Sequence, residues 1–184
     1  MHVQRPESPL EVFVEETPNG DALIHAPSLP GFSVKVARGS SRERRIRAGL
    51  AAYRRWLAAH DLATADCVAA LRGIEWLEME TVEGAPVWIS GNAAALFSVD
   101  RRPLSDLEAH DHLDVVAAAV SDMAAATIRL TTKERTHGRR TGGRSIDEAL
   151  THVGSCIWWY ASRIDDELPE PLEFPEEAPL ARCI

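Results

Sequence analysis

No stretch of this chain stays apolar for anything near the roughly 20 residues that a helix needs to cross a membrane. The first residues, MHVQRPESP, lack the apolar run of a secretory leader. Cysteine is scarce: Cys67, Cys156 and Cys183 stand at no spacing that suits a metal finger or a disulfide framework, which points to a reducing cytoplasm. A basic excess is missing as well. Twenty lysines and arginines against 28 acids leave a net charge of −8, a balance that favours solubility and argues against nonspecific binding to nucleic acid. There is no Gly-rich phosphate loop, no nucleophile elbow and no paired-carboxylate motif, so the common nucleotide-binding and hydrolase signatures are excluded.

What is present is ample core material, 45% hydrophobic residues over 184 positions, enough for one large domain or two small ones. Residues 1–9 read as an unstructured lead-in. Leu10 to Glu15 alternates apolar and polar at the period of a strand. Thr17-Pro-Asn-Gly20 is a turn signal, and Ala22 to Ala26 returns as the second strand of a hairpin. Pro27-Ser-Leu-Pro-Gly31 forces a loop, because two prolines and a glycine cannot continue a ladder. Phe32 to Ala37 alternates again. Ser40 and Glu43 then have the spacing of a capping box, and Ile46, Leu50, Tyr53 and Leu57 trace one apolar stripe on the helix behind it. Seven arginines fall in the eighteen positions from Arg38 to Arg55. They could hold phosphate or RNA, but a solvated helix face accounts for them more simply.

The turn APSLPGF, the short strand after it, ARGSS and the amphipathic helix together resemble the HicB-like antitoxin domain. That family's signature is a Pro-x-x-Pro-Gly turn between its second and third strands. The resemblance covers roughly residues 9–60. It implies an α+β unit that neutralises a small RNA-cleaving toxin, often joined to a separate DNA-binding segment. No helix-turn-helix or ribbon-helix-helix pattern follows here.

Residues 61–73 read as an Ala-rich continuation or a short helix. Ile74 to Thr81 alternates with its acids outward, Glu83-Gly84 is a turn, and Val87 to Ser90 is a partner strand that would extend the first sheet. Asn92 to Asp100, Ala-rich and then FSVD, carries no clear period. At Arg101-Arg102-Pro103 the pattern changes to helix. Ser105 and Glu108 make another capping box, and Leu113, Val116, Val120, Met123, Thr127 and Leu130 predict a helix of about 26 residues, on the order of 39 Å long. Thr131 to Gly143 is polar and basic and reads as a loop. It could cradle an anion, with a flexible connector as the plainer account.

From Arg144 to Ile164 a second long helix is predicted, opened by a capping box of Ser145 and Glu148. Its stripe is Ile146, Leu150, Val153, Ile157, Tyr160 and Ile164; His152, Cys156, Trp159 and Arg163 line the adjacent face. Trp158, Trp159 and Tyr160 in a row suit core or subunit packing better than a ligand wall. Pro169, Pro171, Pro175 and Pro179 keep the acidic tail extended.

RSIDEALTHVGSCIWWYASRI resembles the second helix of DinB-like proteins, with a Ser-hydrophobic start, a His about seven residues on and an aromatic-Tyr-x-x-Arg end. The match covers about residues 103–166. It implies a four-helix bundle, and in many members a divalent metal held by three histidines for thiol-dependent transfer or hydrolysis. His152 stands at the first-ligand position, and the other two ligands would come from a later helix that this chain does not carry. His112, on the shoulder of the preceding helix's stripe, is a second candidate donor, facing it across the bundle on this reading. Zinc wants three protein ligands and an open position, so a partner chain would have to complete a site for Zn, Ni or Mn. The plain alternative is that His152 is a hydrogen-bonded structural histidine, His112 a helix-turn residue and Cys156 a small core residue.

The expected fold is α+β. Residues 1–100 form a HicB-like domain, an antiparallel sheet with a covering helix. Residues 101–168 form a DinB-like two-helix hairpin that becomes a four-helix bundle on dimerisation, and 169–184 an extended Pro-rich acidic tail. A two-helix hairpin leaves one apolar flank bare, so a homodimer is expected; the alternative is docking on its own sheet. The function expected is a non-enzymatic binding or assembly module, with a protein partner and without nucleic acid or membrane. The alternatives are a metal-dependent DinB-like enzyme and an antitoxin-like binder of a small ribonuclease.

Overall fold

In the computed structural model, which describes residues 9–62, 75–84, 95–138 and 143–162, the alternating segment LEVFVEE becomes strand β1 (Leu10–Glu16). The Thr17–Gly20 turn reverses it into β2 (Ala22–His25). Thr17 Oγ1 accepts from the Asp21 N–H at 3.0 Å, and Gly20 takes the positive φ of +83° that the turn requires. The Pro27–Gly31 loop leads to β3 (Ser33–Val36), antiparallel to β2. Helix α1 (Arg42–Ala59) follows.

Ser41, not Ser40, caps that helix. Its hydroxyl accepts from the Arg44 N–H at 3.2 Å, whereas Ser40 is held in the preceding turn, donating its N–H to Ala37 O next to Gly39 at φ +74°. Glu43 pairs with Arg47 one turn on instead of closing a capping box. The expected stripe packs as read: Ile46 and Leu57 are buried, and Leu50 and Tyr53 lie against the same core of Leu10, Val12, Val14, Ala22 and Ile24. Tyr53 donates its hydroxyl to Pro30 O, tying helix to loop, and its burial pushes the phenol up to about 12.

The fourth strand departs from expectation. β4 (Trp76–Glu83) lies beside β1 and runs parallel to it, giving the order β3-β2-β1-β4. The sheet is therefore mixed, not wholly antiparallel, within the expected α+β class. Parallel neighbours need a crossover of a dozen or more residues, and the chain between β1 and β4 contains α1. The pairing slips between Val12↔Glu78 and Phe13↔Glu80, so Met79 is an extra residue on β4. Strict alternation would put Glu78 and Glu80 on one face. The bulge sends them to opposite faces: Glu78 bonds Arg42 of α1 at 2.8 Å, and Glu80 bonds Ser98 on the other side. Arg42 also reaches Glu16 at 2.6 Å, clamping helix, β1 and β4 together. The proposed partner strand Val87–Ser90 and the tail 169–184 lie outside the described residues.

A 3-10 turn at Ser98–Arg101 precedes helix α2 (Asp106–Thr127), short helix α3 (Thr132–Thr136) and helix α4 (Ile146–Ala161). The chain divides into two compact units, Met1–Val116 and Ala117–Ile184, with α2 running through the division. The expected capping boxes at Ser105–Glu108 and Ser145–Glu148 are both formed. A third, Thr131–Glu134, starts α3 inside the stretch that reads as loop. α2 is shorter than its stripe suggests because Thr127 turns its hydroxyl onto Ala124 O and a fresh capping residue stands four positions later. The stripe itself is half used. Val120 and Thr127 are buried, while Leu113 and Val116 are 65% and 46% exposed and Val115 packs the first unit's core in their place. In the second unit Leu150 is buried, α3 packs on α4, and Arg135 pairs with Asp147 at 3.4 Å.

Two predictions follow from this packing. A Cβ on Gly49 would come within 2.3 Å of Val34 Cγ1, so α1 touches β3 through bare backbone. Gly49→Ala is expected to lose about 1–3 kcal/mol by overpacking, although alanine is the better helix former; a rise in melting temperature would contradict the contact. In the capping boxes, the Arg102 guanidinium and then the Ser105 N–H and hydroxyl hold the Glu108 carboxyl down at about 2, from an ordinary 4.5. The N–H groups of Thr131 and Ser145 lower Glu134 and Glu148 likewise. A carboxyl depressed by folding stabilises the fold fully above its unfolded value and loses that contribution as pH falls towards the folded one. Helical circular dichroism should therefore decline below about pH 4.5, and Glu108→Gln should flatten the lower part of that decline.

Candidate functional site

Phe13, Glu15, Leu23 and His25 share the face of the sheet opposite α1. The Thr17–Gly20 turn sets a register of Phe13↔His25 and Glu15↔Leu23, which makes Glu15 and His25 diagonal neighbours within reach of each other. His25 Nε2 lies 3.0 Å from Glu15 Oε1. The bond joins imidazole and carboxyl across the two strands. Glu15 is 5% exposed, and its other oxygen, Oε2, is buried with no hydrogen-bond donor among the described residues. Such a group costs free energy as it stands.

Phe97 roofs this face. Its ring centroid lies 5.4 Å from that of Phe13 and 5.7 Å from that of His25, and it is buried. Two carboxylates hold it there. Asp100 Oδ2 accepts from the Phe97 N–H at 2.8 Å, and Glu80 accepts from the N–H and hydroxyl of Ser98 at 2.8 and 2.7 Å. Those bonds lower the Glu80 carboxyl. The bulge at Met79 thus anchors the roof by aiming Glu80 at it.

Between the roof segment and the Pro27–Phe32 loop lies a cavity of about 550 Å³. Leu29, Phe32, Ala95 and Phe97 supply apolar wall; Glu15, His25, Ser33, Asp100, Arg102 and His112 supply the polar groups. Arg102 gives both terminal nitrogens to Glu108, at 2.6 and 3.1 Å, so its charge is neutralised on the spot. Gly31 lets the loop approach α2: a Cβ there would sit 3.3 Å from Val115 Cγ1.

The residues proposed from sequence fall in different units. His112, half-buried, lines the cavity of the first unit. His152 is exposed on α4 in the second. Beside it, Cys156 Sγ lies 3.7 Å from His152 Nε2 and 3.9 Å from Nδ1, one helical turn away. This is one soft donor and one imidazole on a single face, two of the three ligands a catalytic zinc needs. Among the described residues no group of three His, Cys, Asp or Glu side chains converges to hold a metal ion. Trp159 is 47% exposed and Trp158 half-buried; Arg163 lies outside the described residues. Of the seven arginines, Arg42 is committed to Glu16 and Glu78 and Arg47 to Glu43.

Glu15, His25 and Phe97 do not stand out in the sequence. One signal was available: Glu15 and His25 fall on one face once the Thr17–Gly20 turn fixes the register, and a charged residue beside an inward phenylalanine needs a partner. Phe97 has no such signal, because its place depends on β4.

No known protein family, no curated protein and no solved structure matches this chain.

Phe97→Ala is expected to cost about 3–5 kcal/mol of unfolding free energy in denaturant melts, since it removes the ring that covers Phe13 and His25. A loss below about 1 kcal/mol would mean that this segment does not close the sheet.

Proposed function

We propose that the chain is a binding and assembly module that works as a homodimer, a HicB-like α+β unit continued by a DinB-like helical region. The observation that carries this reading is that α2 has two apolar faces. One is covered within the chain, where Val115 is buried, and the other, the stripe of Leu113, Val116 and Val120, is buried at Val120 and bare at Leu113 and Val116 one turn apart. An amphipathic helix of a lone domain needs a single apolar stripe. In the second unit Ile128, just past the helix end, is 83% exposed. A second copy offers the same faces by two-fold symmetry, which is the simplest cover. The HicB-like part of the reading is supported by the Pro27–Gly31 turn between β2 and β3, with α1 after it and Tyr53 bonded to Pro30 O.

A second reading has one observation in its favour. The His152–Cys156 pair supplies two metal donors from one face of α4, and a partner chain could supply more. On that reading the protein is a DinB-like metal-dependent transferase or hydrolase, with His152 and His112 among the ligands of Zn, Ni or Mn. Stoichiometric metal in the purified protein that is lost in His152→Ala would select it over the first.

Sedimentation equilibrium tests the first reading. Wild-type protein is expected at twice the single-chain mass, and a Leu113→Glu, Val116→Glu double variant at the single-chain mass with unchanged helical content. A wild-type protein that stays a single chain at 100 μM or so, tighter association being expected of a functional dimer, would overturn it.

A further inference from the structure

We propose that His152 and Cys156 of α4 are half of a closed zinc site, and that a second copy of the chain completes it with the same two residues, placing a Cys2His2 ion on the two-fold axis. The inference rests on the homodimer reading above and adds a metal to it. Ile146–Ala161 is one helix, so the four-residue step from His152 to Cys156 brings both side chains onto one face. Cys156 Sγ lies 3.7 Å from His152 Nε2. A tetrahedral zinc with Zn–S of about 2.3 Å and Zn–N of about 2.0–2.1 Å holds its sulfur and nitrogen about 3.5–3.6 Å apart. The pair therefore already has the bite of two zinc ligands. Both donors can be reached from outside, since His152 is exposed and Cys156 half-buried.

Two donors are half of a tetrahedral set, and among the described residues no third His, Cys, Asp or Glu side chain joins them. A two-fold axis through the metal repeats both donors and closes an S2N2 set. That set suits zinc, whereas manganese prefers oxygen ligands and nickel a planar arrangement. Each Cys156 thiol gives its proton to solvent as its sulfur binds. The neighbouring side chains favour a second copy over a small ligand. Trp159, three residues beyond Cys156, is 47% exposed and Ile157 37%, apolar surface that the facing α4 covers once the metal draws the two helices together. A site with four protein ligands keeps no open position for a substrate, so this zinc joins two chains and does no chemistry. His112, in the first unit, takes no part in it.

Zinc titrated into the metal-free full chain tests this, read by calorimetry and by sedimentation equilibrium. One zinc per two chains is expected, with a Kd below about 0.1 μM. Cys156→Ser and His152→Ala should each weaken it about 100-fold, one ligand's share of a structural zinc's binding free energy, while Cys67→Ser and Cys183→Ser leave it unchanged. In the wild type, whose folding is not in question, cobalt(II) in place of zinc should give tetrahedral ligand-field bands and thiolate charge-transfer absorption that stop growing at half an equivalent. The homodimer reading is separable from this one. A metal-free protein that is already a dimer and takes up no zinc overturns the zinc site alone. A metal-free single chain that zinc joins into pairs upholds the site and removes Leu113 and Val116 as the contact. One zinc per chain, undiminished zinc binding in folded Cys156→Ser, or cobalt bound without thiolate absorption would each overturn the proposal.

Discussion

Strand β1 is hydrogen-bonded on both edges and buried on both faces, and the first unit is arranged to keep it so. Between β2 and β4 its backbone groups have partners, while Val12 and Val14 need apolar cover on one side and Phe13 on the other. Helix α1 supplies the first cover. The second comes from Phe97, a single aromatic on an irregular segment. A segment with no ladder of its own has to be held by side chains, and the holding groups are carboxylates: Asp100 on the Phe97 N–H and Glu80 on Ser98. Both faces of the sheet thus depend on how β4 pairs with β1.

The bulge at Met79 is where that dependence concentrates. One inserted residue turns Glu78 to the helix side and Glu80 to the roof side. The same strand therefore braces α1 through Arg42 and the roof through Ser98. With the roof in place, Glu15 is shut beneath it, and the acid that sits under an aromatic cover becomes the polar feature of the cavity. The site is a by-product of covering β1, which explains why its polar residues come from β1, β2, β3, the 3-10 segment and α2 instead of a contiguous motif.

Signals confined to a few neighbouring residues were legible. Alternation marked β1, β2 and β3, the Thr17–Gly20 turn set the pairing of the first two, and the Ser105–Glu108 and Ser145–Glu148 boxes marked where α2 and α4 begin. The stripe of α1 was legible too, since Ile46, Leu50, Tyr53 and Leu57 are separated clearly from charged positions. On α2 the stripe faces inward only in part: Val120 and Thr127 are buried, Leu113 and Val116 are not, and Val115 packs the core from beside it. Alanine occupies so many of its positions that Val115 and Val116 compete for the core, and nothing local chooses Val115. The cap of α1 shifted by one because Ser40 and Ser41 are adjacent and only the Gly39 turn separates their roles. His112 was marked as a donor on the shoulder of a stripe, and the structure gives it a cavity with Glu15 and His25 for neighbours in the lining.

By itself, then, the sequence determined the α+β class, the antiparallel β1-β2-β3 meander, the helix α1 that covers it and the starts of α2 and α4. These rest on contacts between residues at most a few turns apart, where periodicity and capping chemistry act. Tertiary structure decided the rest: that β4 runs parallel to β1, that Met79 bulges, that Phe97 roofs the second face and that Glu15 is buried with one oxygen unpaired. Each of these requires two segments more than sixty residues apart to meet, and such a meeting is set by which apolar faces are still uncovered when the chain collapses, a quantity no single stretch of residues carries.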